Sequence, residues 1–155
     1  MVNLRLDHSE GLMSDNELNR FLDAQEQEYP TALKEIRNGR KTSHWMWYIF
    51  PQLQGLGRSH YAHFYGLSGS REAQAFLQHP VLGKRLVEAC EALLALESTS
   101  AYQVMGSPDD LKLRSSMTLF AVLPDTDAVF EKVLQKFFEG KKDLRTLELL
   151  KIQES

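Results

Sequence analysis

Arg40, Lys41, Ser43, His44, Trp47, Tyr48 and Gln52 crowd one short stretch that also holds Trp45, so both tryptophans of the chain lie beside a basic pair and a histidine. A hydrophobic core needs apolar bulk, but it has no need of Lys41, Ser43, His44 and Gln52 threaded through it. The stretch is therefore the first candidate ligand site. A tryptophan or tyrosine face can stack a planar ring, while Arg40, Lys41 and the backbone N–H groups near Ser43 could hold a phosphate or carboxylate. Read as a helix, the spacing puts Ser43 with Trp47, and His44 with Tyr48, on shared faces, and sets Trp45 beside Ile49. Three roles fit these residues: packing alone, with His44 bonded to backbone; binding of a ring and an anion; or His44 as general acid or base. The neighbours place Trp47 nearer a ligand and Trp45 nearer the core.

Asp109 and Asp110 form the second constellation. Their simplest role is to place negative charge at the positive end of a helix. Lys112, Arg114, Ser115 and Ser116 follow within two turns, however, and Asp109 and Lys112 share a face. That polar face could line a cleft opposite the aromatic segment, where one aspartate could act as a general base or hold a ribose hydroxyl. The catalytic candidates are thus His44, Asp109 and Asp110, and the ligand-binding candidates are Arg40, Lys41, Ser43, His44, Trp47, Tyr48, Gln52, Asp109 and Lys112.

Other chemistries lack their residues. The five histidines contain no pair four apart with a nearby glutamate, so no metal site is expected. Gly55-x-Gly57 lacks the third glycine and the preceding strand of a dinucleotide fingerprint, and no Walker loop or Gly-x-Ser-x-Gly elbow occurs; no cofactor is expected. A net charge of -3 argues against a broad nucleic-acid surface, despite Arg40, Lys41 and Arg58 near Tyr48 and Tyr61.

Helices must position these groups. Ser14-Asp-Asn-Glu17 fits a capping box, which predicts a first helix from about Asp15 carrying Leu18, Phe21, Leu22 and Gln25. Pro30 predicts the first turn of a second helix that Gly39 closes. Ser43 could cap a short helix through Trp47 or Phe50 that Pro51 stops. Residues 53–68 read as either an aromatic-rich loop or a short strand pair. Ser70 caps 71–78, and Pro80 opens a run in which Leu82, Leu86, Cys90, Leu93 and Leu94 recur at helical steps. Ser107-Pro108 starts a helix to about Val122, and after Pro124 a new one starts at Asp125 or Thr126. It carries Val129, Phe130, Val133, Leu134 and Phe137 up to Gly140; Asp143 caps the last helix.

At 155 residues, 43% hydrophobic and 25% charged, the chain reads as a single compact all-α domain over residues 14–155, with a Gly/aromatic-rich loop region and a flexible leader at 1–13. No stretch is apolar enough for a signal peptide or a membrane span. The single Cys90, inside an apolar helical run, reads as a buried hydrophobe in a reducing compartment, so a cytoplasmic monomer without membrane partners is expected.

Glu35-Ile-Arg-Asn-Gly-Arg-Lys41, Ser43-His-Trp-Met-Trp-Tyr-Ile-Phe-Pro-Gln52, Tyr65-Gly-Leu67, His79-Pro80-x-Leu82-Gly83, Pro108-Asp-Asp-x-Lys112 and Ser115-Ser-Met-Thr-Leu-Phe120 carry a resemblance. Over most of its length the chain resembles a family of small, mainly helical bacterial proteins of unknown function, sometimes labelled calpastatin. The label does not suit the sequence, because that inhibitor is disordered whereas this chain is rich in aromatic and apolar positions. The resemblance implies a helical single domain and no established activity. Residues 72–94, with their Gln-His-Pro-x-Leu run, are similar to a segment of helical proteins that process ADP-ribose-linked glycosidic bonds, over too short a stretch to carry catalytic residues across. The expected function is binding of a small aromatic and anionic ligand, nucleotide-like or ADP-ribose-like, with action on it left open. The alternative is a non-catalytic helical interaction module.

Overall fold

The computed structural model describes residues 9–154, with side chains from Glu17 to Lys151. Among these residues the elements are α1 (Ser9–Arg37), α2 (Met46–Ile49), α3 (His60–Tyr65), α4 (Ser70–Gln78), α5 (Leu82–Leu94), α6 (Ala101–Met105), α7 (Asp109–Ala121), α8 (Val129–Phe138) and α9 (Leu144–Glu154). The only β-pairing among them is an isolated parallel bridge between Leu53 and Leu67. The fold is all-α, a single compact multi-helix domain. Helices α1, α4 and α8 pack on α5, and α4, α6, α8 and α9 pack on α7. A line of edge and tilted ring contacts crosses the core, from Phe21 to Phe76 at 5.0 Å, on to Phe120 at 5.7 Å and to Phe130 at 5.5 Å. Cys90 is fully buried between these layers, with its Sγ 3.6 Å from Met117 Sδ.

The first helix differs from the sequence expectation. α1 is already helical at Ser9 and runs through Pro30 without a break. A capping-box pattern offers bonds that a helix start needs, yet it does not stop preceding residues from being helical. Pro30 removes one N–H, a cost of about 3 kcal/mol in an isolated helix. Here Gln25, Tyr29, Ala32 and Ile36 form a buried stripe on both sides of the exposed proline, so tertiary packing carries the helix through it. Of the expected leader at 1–13, residues 1–8 lie outside the described residues and 9–13 belong to α1.

Local bonds explain most other boundaries. The Ser59 hydroxyl accepts the Ala62 N–H and starts α3, and the Ser100 hydroxyl accepts the Gln103 N–H and starts α6. Neither short helix was expected from periodicity. His79 Nδ1 accepts from the N–H groups of Val81 and Leu82 at 3.1 and 3.2 Å, so the Gln-His-Pro-x-Leu run serves as the entry to α5. There α4 and α5 meet so closely that a Cβ on Gly83 would lie 1.9 Å from the Leu77 carbonyl oxygen. After Pro124 the chain restarts at Val129, later than the expected Asp125 or Thr126, where Asp127 Oδ1 accepts the Val129 N–H. Asp143 Oδ2 accepts the Thr146 N–H at the start of α9.

Candidate functional site

Glu35 organises the aromatic segment. α1 ends in a turn at Gly39, whose φ of +79° is a conformation that glycine adopts without strain, and the following chain curls back over the helix end. Glu35 Oε1 then accepts from Thr42 N at 2.8 Å, Ser43 N at 3.0 Å and Trp45 Nε1 at 2.9 Å, while Oε2 accepts the Ser43 hydroxyl. Burial alone would raise the pKa of this carboxyl. The bonds from the Ser43 side chain, the Thr42 backbone and the Trp45 indole outweigh it and hold the value at about 2. The expected helix from Ser43 through Trp47 or Phe50 is therefore replaced by a loop and one turn, α2, which has no side-chain cap. Ser43 donates its hydroxyl to Glu35 and lies two residues before Trp45, the residue that precedes α2.

Trp45 is fully buried, its ring in tilted contact with Phe50. The Lys41 ammonium lies 5.0 Å from the Trp45 ring centroid, donates to the Ser43 carbonyl, and pairs with Asp109 Oδ2 at 2.7 Å. Lys112 lies 4.9 Å from the Trp47 ring centroid and 3.7 Å from Asp109 Oδ1. One carboxylate thus bridges two lysines, each over one tryptophan, and ties α7 to the loop. Lys41, with 7% of its side chain exposed, is already fully engaged.

On the other side of the segment a cleft of about 560 Å³ opens against α1. His44, Trp47, Tyr48, Tyr61 and Tyr65 form one wall, and Asp23, Ala24, Gln27 and Glu28 form the other. The rings touch in sequence, Trp47 to Tyr61 at 5.0 Å, Tyr61 to Tyr65 at 6.3 Å and Tyr65 to Tyr48 at 5.2 Å between centroids. Gln25 fixes this wall by donating to the Tyr48 carbonyl at 2.7 Å. Burial, then the Glu28 charge, pushes the Tyr48 phenol up to about 12. Burial and the neighbouring Tyr61 also raise Tyr65. Both phenols stay neutral near pH 7, able to donate and accept hydrogen bonds. The Trp47 indole N–H is enclosed and meets no acceptor among the described residues. A larger groove of about 680 Å³ runs between α4, α5 and residues 125–127, but its lining of Gln74, Glu88, Glu91, Asp125 and other mostly polar groups includes no aromatic ring.

The sequence candidates therefore divide. His44, Trp47 and Tyr48 line the cleft. Lys41, Asp109 and Lys112 form the neighbouring ion-pair group, and Ser43 belongs to the Glu35 clasp. Arg40 is exposed and uses its N–H on the Glu35 carbonyl at 3.0 Å. Gln52 is buried in the bridge region, where its carbonyl accepts the Leu67 N–H. Asp110 Oδ1 accepts the Leu111 N–H in the first turn of α7. Asp109 and Asp110 do not line the cleft with His44, so these candidates form no acid–base pair across it. Sequence reasoning missed Glu35 and the α1 wall. Asp23 with Gln27, and Ala24 with Glu28, are pairs four apart on the helix face adjoining the buried stripe, which is the one signal that could have marked them.

Among the described residues no group of three His, Cys, Asp or Glu side chains could hold a metal, and no helix is long and apolar enough to cross a membrane. No curated protein matches the chain. Its structure is similar to the crystal structure of a conserved hypothetical protein from Mycobacterium tuberculosis, with 47% identity and a TM-score of 0.85 over 87% of this chain and 96% of that one. Residues 15–150 match a family described as proteins of unknown function, and the chain belongs to that family, DUF1810.

Proposed function

We propose that the protein binds a small organic ligand with a planar ring in the cleft between α1 and the α2–α3 segment, as a cytoplasmic monomer. The observation that carries this is the continuous wall of Trp47, Tyr61, Tyr65 and Tyr48 facing the polar α1 face across about 560 Å³. Ligand sites combine apolar and aromatic lining with a few placed polar groups, and this cleft has that composition. A nucleotide-like or ADP-ribose-like ligand fits through its ring. Its anionic part then stays outside the cleft, beyond Trp47, on the side where Lys112 stands 4.9 Å from the Trp47 ring centroid and shares Asp109 with Lys41. The reading is one of binding; His44 faces the cleft without a partner acid among the expected candidates.

A non-catalytic interaction module is the second reading, favoured by Tyr61 and Phe64, which are 53% and 47% exposed on one side of α3. A thermal-shift and tryptophan-fluorescence screen of planar heterocycles and nucleotides separates the two. Binding is expected in the wild type and lost in Tyr61→Ala, an exposed position where truncation leaves folding intact. No hit across the panel, with a partner protein instead retained through Tyr61 and Phe64, supports the module.

A further inference from the structure

The two walls of the cleft differ in electrical character, and that difference specifies the ligand further. Resting on the assignment of the cleft as a binding site, we propose that its ligand is a cation whose charge sits on an alkylated nitrogen, as in an N-alkylpyridinium ring or a trimethylammonium group. Among the described residues, Asp23 and Glu28 are the carboxylates of the lining, five residues apart on α1, and the lining contains no lysine or arginine. Opposite them stand four rings whose faces carry the negative part of the aromatic quadrupole, which attracts cations. Successive rings are inclined by 50°, 37° and 54°, so they do not share one plane and offer a compact alkylated cation more than one ring orientation.

Ammonium groups of the protein already use both tryptophans in this way, Lys41 over Trp45 at 5.0 Å and Lys112 over Trp47 at 4.9 Å. Burial is the main cause of the raised Tyr48 and Tyr65 phenols; the Glu28 charge adds to it at Tyr48, while at Tyr65 the smaller Asp23 contribution is opposed by Arg20. A strongly hydrated primary ammonium loses its water shell on entering such a site, whereas an alkylated nitrogen spreads its charge over carbon and loses far less. A neutral ring would stack without using the carboxylates, and a carboxylate or phosphate inside the cleft would be repelled by them.

Two pairs of near-isosteres test this by calorimetry on the full chain: 1-methylnicotinamide against nicotinamide, and choline against 3,3-dimethylbutan-1-ol. The cation of at least one pair should bind at least about tenfold more tightly than its neutral partner. In the double variant Asp23→Asn with Glu28→Gln, that preference should disappear while the melting temperature is unchanged. Equal affinity for cation and neutral partner would overturn the cationic assignment and leave the binding cleft in place. A preference that survives in the double variant would overturn the role of the two carboxylates. Absence of binding by all four compounds, with neutral heterocycles bound and lost in Tyr61→Ala, would also overturn the cationic assignment, whereas absence of both would remove the cleft assignment with it.

Discussion

Replacing Glu35 by Gln is the most informative perturbation of the framework, because the amide keeps the shape and removes the charge. The glutamine oxygen can still accept from Thr42 N, Ser43 N and Trp45 Nε1, and its NH₂ can donate to the Ser43 hydroxyl in place of the present bond. What is lost is the stabilisation that depresses the carboxyl from its ordinary 4.5 to about 2. At about 1.4 kcal/mol per unit of pKa this corresponds to at most about 3.5 kcal/mol, and solvent near the carboxylate edge lowers it towards about 2. Since the folded value lies below the unfolded one, the contribution is complete above about pH 4.5 and is lost as pH falls through about 2. Urea denaturation at pH 7 should therefore show Glu35→Gln less stable than wild type by about 2–3 kcal/mol. At pH 3 the same difference should shrink to less than half. A difference independent of pH, or no difference at pH 7, would refute the assignment of Glu35 as the charged clasp of the 40–45 loop.

Two further substitutions separate framework from site. Asp109→Asn leaves the nearly buried Lys41 ammonium without its carboxylate and should cost about 3 kcal/mol in chemical denaturation without changing ligand affinity in the cleft; a large affinity loss at unchanged stability would return Asp109 to the binding site. Trp45→Ala removes a fully buried ring and orphans one Glu35 bond, so it should cost about 3–5 kcal/mol, whereas the partly exposed Trp47 should cost clearly less and abolish binding. Equal, large losses of stability in both variants would make the segment structural throughout.

The helices legible in the sequence are those whose core contacts repeat at helical steps. The stripe of Val129, Phe130, Val133, Leu134 and Phe137 marks α8, and all five are buried there. What escaped were features decided by contacts distant in sequence or by single bonds. Pro30 reads as a helix start until the packing of Tyr29 and Ala32 overrides it. Ser43 has the type of a capping residue, but its partner lies eight positions back on α1, and nothing local announces a loop folded over a glutamate. α3 is six residues long, too short for a periodic signal, so the positions of Tyr61 and Tyr65 in the cleft could not be read. The aromatic segment itself was legible as a candidate site, since its composition departs from that of a core. Its opposite wall was not, because Asp23, Gln27 and Glu28 have the types of any solvated helix face.

The distinct surroundings of the two tryptophans make indole N–H resonances the most direct probe of the central claim. Trp45 Nε1 is bonded to Glu35 inside the core, and the ring of Trp47 lines the cleft. In a proton–nitrogen correlation spectrum titrated with a ligand from the heterocycle panel, the Trp47 indole signal and the amides of Tyr48, Tyr61 and Tyr65 should move together along one saturable curve, with the Trp45 indole fixed. Saturable movement of the Trp45 indole and the Lys41–Asp109 region, with Trp47 and the α3 tyrosines still, would place the ligand elsewhere and contradict the assignment of the cleft.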